Sequence, residues 1–287
     1  MSRDDMPWVV MRSRNDMPLV RQTLEALSRQ TVAHRLLVLD NDSTDGTRQE
    51  AAQHATRVIT VPAGTYVPGR VLNDGMRETD GRFVAFLNSD CTPLDDRWLD
   101  RLLSGFDDDQ VAAVFGRQVA RPGAHPLTVR DTDAAYGNGN AHRTWRHFFS
   151  MASSAVRRSA WEALPFDETL RYSEDIDWTW RLRQRGNRIG YVQDSMVYHS
   201  HDYTLAELWR RQRGEGIAEA RIFPWSPWER TLLRYSILPL GRQVLADWTQ
   251  LLQNGTVRAA LEAPVRRLVQ FAGRRVGFMQ GIRKDRP

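Results

Sequence analysis

Short apolar runs recur along the first part of the chain, and each is closed by a polar cluster. Trp8–Met11 (WVVM), Leu36–Leu39 (LLVL), Arg57–Val61, Phe83–Leu87 and Val111–Phe115 read as strands. Apolar runs of four or five residues without polar alternation suit strands buried on both faces. Helical spacing fills the intervals. Leu19, Leu24 and Leu27 form one face, and Val71, Leu72 and Met76 form another in a helix predicted over Pro68–Glu78, with Pro68 at its start. A helix is predicted after DNDSTDGT, capped by Ser43 or Thr44, and another over Leu94–Phe106. Strands alternating with helices predict an α/β fold whose sheet is parallel or mostly parallel and covered on both faces.

From Ala120 to Phe148 the pattern dissolves into stretches rich in Gly, Pro, Asn and His, which read as long loops. Order resumes with a strand at Ser153–Val156 and a helix at Arg157–Leu164. A helix follows at Glu174–Arg185, with acids in its first turn and arginines in its last. Ile176, Thr179, Trp180 and Leu182 share its face, and Trp178 falls off it. Strands at Ile189–Val192 and Met196–Tyr198 and a helix at Thr204–Phe223 complete the pattern. After Pro224 the chain turns Trp-rich (PWSPW), then helical and basic. The expected division is a domain over residues 1–224 and a helical extension over 225–287.

Composition narrows the class. The 287 residues are 41% hydrophobic, enough for a large core with an appendage. The single cysteine, Cys91, excludes a disulfide framework and a cysteine-cluster metal site, and reads as packing. No secretory leader and no membrane-spanning window is apparent, so a cytoplasmic protein is expected. The net charge is +5, but from Leu251 onward eight basic residues face two acidic ones. That bias is compatible with anionic lipid at the inner face of the cytoplasmic membrane, with a homo-oligomer interface, or with a helical cap. Charge alone does not argue for nucleic acid, and no such partner is expected.

Three polar clusters, RSRND, DNDSTDGT and NSDC, follow strands, at the carboxyl ends where α/β sheets bind ligands. Asn88 and Asp90 are two residues apart and face one side of an extended segment. Their oxygens suit a hard divalent cation bridging to phosphate, and a helix cap is the alternative. His199 and His201 flank Ser200, either as ligands or as half-exposed loop residues. Glu174 and Asp175 open a helix and cannot both point the same way, so one can act as a base while the other anchors the segment. Asp177 is explained by pairing with Arg181 four residues on. Asp40, Asn41 and Asp42 can read a pyrimidine N–H or can simply build a turn. Arg12, Arg14 and Arg70 suit phosphate or sugar contacts, or surface ion pairs.

Five stretches taken in order resemble glycosyltransferase family 2, with the GT-A nucleotide-diphosphosugar transferase fold. They are VVMRSRND, LLVLDNDSTDGT, PGRVLNDGM with GRFVAFLNSDCTPLDDRWL, FDETLRYSEDIDWTWRLRQRG, and VYHSHDYTL, and they cover about Pro7 to Gly216. GRQVARP, from Gly116, together with HSHDYTL, is similar to the rhamnosyltransferase-like branch. The resemblance implies that the family's Asp-x-Asp motif falls on Asn88, Ser89 and Asp90, with Asn in place of the first acid. It implies Asp90 and His199 as ligands of Mn2+ or Mg2+, Asp175 as the base and Glu174 as its partner. It places Asp40 and Asp42 in the nucleoside-reading region and Asn73 near the donor pocket. The implied reaction is an inverting transfer from a nucleoside-diphosphate sugar, dTDP-rhamnose or a UDP-sugar, to a hydroxyl of a glycan, lipid-linked or small-molecule acceptor. A retaining transferase, a nucleotidyltransferase of related fold, and a non-catalytic sugar-nucleotide-binding scaffold are the competing readings. Asn88 is the feature that keeps the last one open.

Overall fold

The computed structural model of the protein describes residues 6–137 and 146–284. The chain runs β1 (Trp8–Ser13), α1 (Leu19–Ser28), β2 (Arg35–Asp40), α2 (Thr47–Ala52), β3 (Arg57–Thr60), α3 (Pro68–Arg77), β4 (Phe83–Asn88), β5 (Thr92–Pro93), α4 (Trp98–Ser104) and β6 (Val111–Val119). It continues through α5 (Pro126–Tyr136), β7 (Ser153–Arg157), α6 (Arg158–Ala163), α7 (Glu174–Gln184), β8 (Arg188–Tyr198) and α8 (Leu205–Ile222). A π-helical turn (Leu233–Ile237) leads into α9 (Leu238–Gln253), and α10 (Val257–Lys284) follows.

The strands form one mixed sheet in the order β3-β2-β1-β4-β7-β6-β8-β5. β1 pairs parallel with β2 and β4, β2 with β3, and β6 with β8. β7 runs antiparallel between β4 and β6, and β5 is antiparallel to β8. Alternate residues of one strand feed opposite cores. Val10, Leu37, Leu39 and Phe86 pack on one face with Leu72 and Met76 of α3. Val9, Met11, Val38 and Leu87 pack on the other with Leu24 of α1 and Trp98 of α4. Burial on both faces accounts for the unbroken apolar runs.

The chain divides into two compact units. The first runs to Ser200, apart from Pro122–Asp131 and Arg171–Ser173, which belong with the second; the second otherwise begins at His201. Within the second unit, a capping box between Thr204 and Glu207 opens α8. α10 crosses α8 so closely that a Cβ on Gly277 would lie 2.0 Å from the Arg213 carbonyl oxygen. Asp247 of α9 is fully buried and meets Arg130 at 2.6 Å and Arg267 at 2.7 Å, and Arg267 also holds Asp131.

Several expectations are corrected. The residue at the N-cap of α2 is Gly46, and the first N–H of the helix, that of Thr47, donates to the Asp45 carboxylate at 3.0 Å. Ser43 instead turns back, its N–H and hydroxyl both donating to Asp40, and the Thr44 N–H donates to Asn15. The helix expected from Leu94 starts at Trp98, because Thr92–Pro93 are drawn into the sheet as β5 and the Leu94 N–H donates to the Met196 carbonyl. The loop expected from Ala120 contains α5, and the part of that loop at residues 138–145 lies outside the described residues. The two short strands after Arg188 are one strand, β8, with a bulge. Trp178 is completely buried: its indole donates to the Leu164 carbonyl and its ring lies 4.5 Å from that of Phe166. That helix is packed on two sides, so a single stripe understated its buried surface.

Candidate active site

The ends of three neighbouring parallel strands build the floor of the site. Ser13 of β1 stands opposite Asp40 of β2, and Arg12 stands opposite Asn88 of β4. Asp40 is buried and accepts hydrogen bonds from the Ser13 hydroxyl at 2.9 Å, the Ser43 hydroxyl at 2.6 Å and the Ser43 N–H at 2.9 Å. Asp42, the other candidate on this loop, is exposed with φ +50°. The loops after β1 and β2 are stitched together: Asn15, Asp16 and Met17 donate backbone N–H groups to Ser43, Thr47 and Asp45. Arg14 is exposed beside this seam.

Arg12 ties the floor to α7. One guanidinium nitrogen donates to the Asn88 side-chain oxygen at 3.0 Å and another to Glu174 at 3.2 Å. Asp175 points elsewhere, as adjacent acids on a helix must. Its oxygens accept the Met151 N–H at 3.0 Å and the Ile176 N–H at 2.8 Å. Burial, reinforced by the negative charge of Glu174, pushes Asp175 up to about 6. Asp177 pairs with Arg181 at 2.7 Å, the pairing its spacing predicts.

β4 ends in a turn that carries Ser89 and Asp90. Ser89 is buried and its hydroxyl donates to Asp16. Burial, and then the charge of Asp90, push the Cys91 thiol up, so it packs rather than reacts, as its surroundings in sequence imply. Asp90 itself faces His199, the residue after β8, with 3.5 Å between carboxylate oxygen and Nε2. The Gln118 amide nitrogen donates to the Ser150 hydroxyl at 2.8 Å, which turns its oxygen toward His199 Nδ1 at 2.7 Å. With the Gln118 oxygen at Nδ1, Nε2 is the ring nitrogen that faces the Asp90 carboxylate. A carboxylate oxygen and an imidazole nitrogen at this spacing, with the ring held by a second residue, fit a divalent cation.

The remaining predicted residues lie in other company. Asn73 is buried on α3, accepting from Trp161 and the Phe166 N–H and donating to the Phe166 carbonyl and Glu168. Arg70, half-exposed, also pairs with Glu168 at 3.4 Å. His201 opens the second unit, exposed, its ring stacked on Tyr203.

Three participants were not singled out by residue type: Asp16, Gln118 and Arg121. Arg121 donates to the Asp90 carbonyl and, at 3.2 Å, to Thr92, and its own N–H donates to Ser200 at 3.0 Å. It thereby links the turn carrying Asp90 to the segment carrying His199. Gln118 and Arg121 both belong to the GRQVARP stretch, which stood out only by resemblance. Asp16 lies in RSRND, beside two arginines that are the more obvious anion contacts.

A mixed sheet with parallel strands ending in a polar, metal-compatible floor, and with a helical extension, is a GT-A-like arrangement. Residues 8–164, more than half of the chain, match the model for Glycosyl transferase family 2. The chain belongs to that family. It is 31% identical over 202 residues to O-antigen chain rhamnosyltransferase WbaN of Salmonella anatum, a match covering 67% of this chain and 64% of that one. It is 27% identical over 233 residues to O-antigen chain rhamnosyltransferase RfbN of Salmonella typhimurium, covering 77% of this chain and 73% of that one. Among solved structures, the mannosyltransferase PcManGT of Pyrobaculum calidifontis, in complex with GDP-Man and Mn2+, is similar in fold. It has a TM-score of 0.67 and 17% identity over 99% of this chain and 89% of that one. Glucosyl-3-phosphoglycerate synthase of Mycobacterium tuberculosis, in complex with Mn2+, UDP and phosphoglyceric acid, follows at a TM-score of 0.58 and 21% identity, covering 78% of this chain and 80% of that one.

Proposed function

We propose that the protein is an inverting, metal-dependent glycosyltransferase that moves a sugar from a nucleoside-diphosphate donor to a hydroxyl of a glycan or lipid-linked acceptor in polysaccharide biosynthesis. dTDP-rhamnose is the donor we favour over a UDP-sugar, because two relatives are O-antigen chain rhamnosyltransferases. The observation that carries the reading is the pairing of Asp90 with His199, whose ring is held by Gln118, at the strand ends. We assign the catalytic domain to residues 1–224 and the basic extension to 225–287.

Asp90 and His199 would hold Mn2+ or Mg2+. Bound there, the cation supplies positive charge beside the diphosphate that leaves. Asp40 and Asp42 face the nucleoside, with Asn88 and Ser89 beside the ribose and diphosphate. Arg14 and Arg70 offer cationic contacts to the donor, and Asn73 supports that wall. Arg12 neutralises Glu174 and so keeps two adjacent acids compatible. Asp175, ionised, takes the proton of the acceptor hydroxyl. The acceptor oxygen forms its bond to the anomeric carbon as the bond to the diphosphate breaks, through an oxocarbenium-like transition state.

Calorimetry with UDP, dTDP and GDP, each with Mn2+ and then with EDTA, tests the donor site. Binding of one nucleotide that EDTA abolishes is expected, with dTDP the strongest. A folded protein that binds none of them overturns the reading. The anomeric configuration of the product, read by NMR, separates inversion from retention.

A further inference from the structure

The second unit carries apolar surface on the wrong side of its helices. On α9, the buried residues Asp247 and Leu251 define the inward face. The opposite side presents Leu238, Gly241, Leu245, Trp248 and Leu252, which helical spacing puts in one stripe. Leu245 is 65% exposed and Leu252 54%. α10 repeats the arrangement. Ala259, Ala260 and Ala263 face inward, while Val257, Leu261, Val265 and Leu268 form an outward stripe in which Leu261 is 75% exposed. The Trp248 indole N–H donates to the Ala260 carbonyl at 2.9 Å, which joins the two helices and leaves the exposed part of that ring apolar. Trp228, Leu232, Leu233 and Ile237, ahead of α9, are exposed as well. An apolar surface this extensive marks an interaction site rather than scatter.

Its charge selects the partner. The outward side of α9 carries Arg242, and Arg234 precedes it, both exposed. The one acid of α9, Asp247, is buried between two arginines. Arg234, Arg242 and Arg274 also line a cavity of about 370 Å³ with Trp225, Leu238 and Phe271, where Glu219 and Glu229 offset part of their charge and leave it net cationic. A second copy of the same stripe would bring arginines against arginines, with no acid on the exposed side of α9 to answer them. A surface offering anionic groups above hydrocarbon answers both features. Among the described residues no helix is long and apolar enough to cross a membrane. We propose that the outward stripes of α9 and α10 lie in the interface of an anionic phospholipid bilayer, with leucines and tryptophans in the acyl boundary and Arg234 and Arg242 at the lipid phosphates.

This docking does not depend on the catalytic reading, and its test needs no donor or acceptor. The full chain is floated with phosphatidylcholine vesicles with and without phosphatidylglycerol. The expected result is partition at least about ten-fold higher with phosphatidylglycerol, falling as salt is raised. L245E/L252E, at exposed positions, should lose that partition with its circular dichroism unchanged. Quenching of tryptophan fluorescence by brominated lipid should also drop in W228F/W248F, a readout that requires no charge change. Absence of the protein from anionic vesicles overturns the proposal. So does a dimer in sedimentation that L245E/L252E dissociates while vesicles stay bare, which would assign the stripe to a second copy.

Discussion

At the scale of single residues, the site depends on groups held by neighbours. Asp175 is the proposed base, and its folded pKa of about 6 sits above the ordinary carboxylate value. kcat/KM should therefore rise with pH along a limb centred near pH 6, as the carboxylate ionises. Asp175→Asn should lower kcat by roughly 10²- to 10⁴-fold and abolish that limb. The same shift has a sign for stability. A folded pKa above the unfolded one stabilises the fold below the unfolded value, and that contribution is lost as pH rises through about 6. Asp175→Asn cannot ionise, so its stability relative to the parent should increase as pH rises from the ordinary carboxylate range to about 6 and level off beyond it, measured by urea unfolding at a series of pH values. Gln118 acts through His199. Gln118→Ala should weaken Mn2+ binding by about 10- to 100-fold, measured without turnover by the free Mn2+ signal, because the imidazole loses the partner that holds its ring.

At the scale of elements, the buried ion cluster is the most exposed to a single change. Asp247→Ala leaves Arg130 and Arg267 with only the more exposed Asp131 between them, and should cost about 3–5 kcal/mol in the urea unfolding of the full chain. The strands around the floor were legible because burial on both faces leaves nothing polar in them, as in LLVL between Arg35 and Asp40. α5 was not legible. Thr128, Val129 and Thr132 favour extended backbone, and only Leu127 on it is buried, so no apolar stripe announces it. β5 was hidden for another reason: two residues at a sheet edge have no period, and only pairing with β8 makes them a strand. In the site, Asp90, His199 and Asp175 were candidates by residue type, and the family resemblance, not the residues alone, chose them over a helix cap, loop histidines and Glu174. Gln118 and Arg121 were not candidates, because their roles arise from β6 lying beside β8, a non-local fact.

At the scale of the whole molecule, donor binding should also register as stability. Mn2+ with the correct nucleoside diphosphate, at about 100 times its dissociation constant, should add roughly 2.7 kcal/mol, seen as a raised midpoint that EDTA reverses. The two candidate ligands flank strands that the sheet itself aligns. Thr92 is paired with Tyr198, so Asp90 lies two residues before that pair and His199 one residue after it. The alignment is reached through a bulge in β8, where Gly116 faces Val192 but Arg117 faces Met196. Gly116 makes room for it, since a Cβ there would lie 2.4 Å from the Ser195 oxygen. Lineages descended from this chain can consequently exchange many side chains along β8 without disturbing the site. Gaining or losing one residue between Met196 and His199, where pairing with β6 is regular again, would rotate the imidazole to the opposite face, so homologous sequences should keep the length of that interval constant.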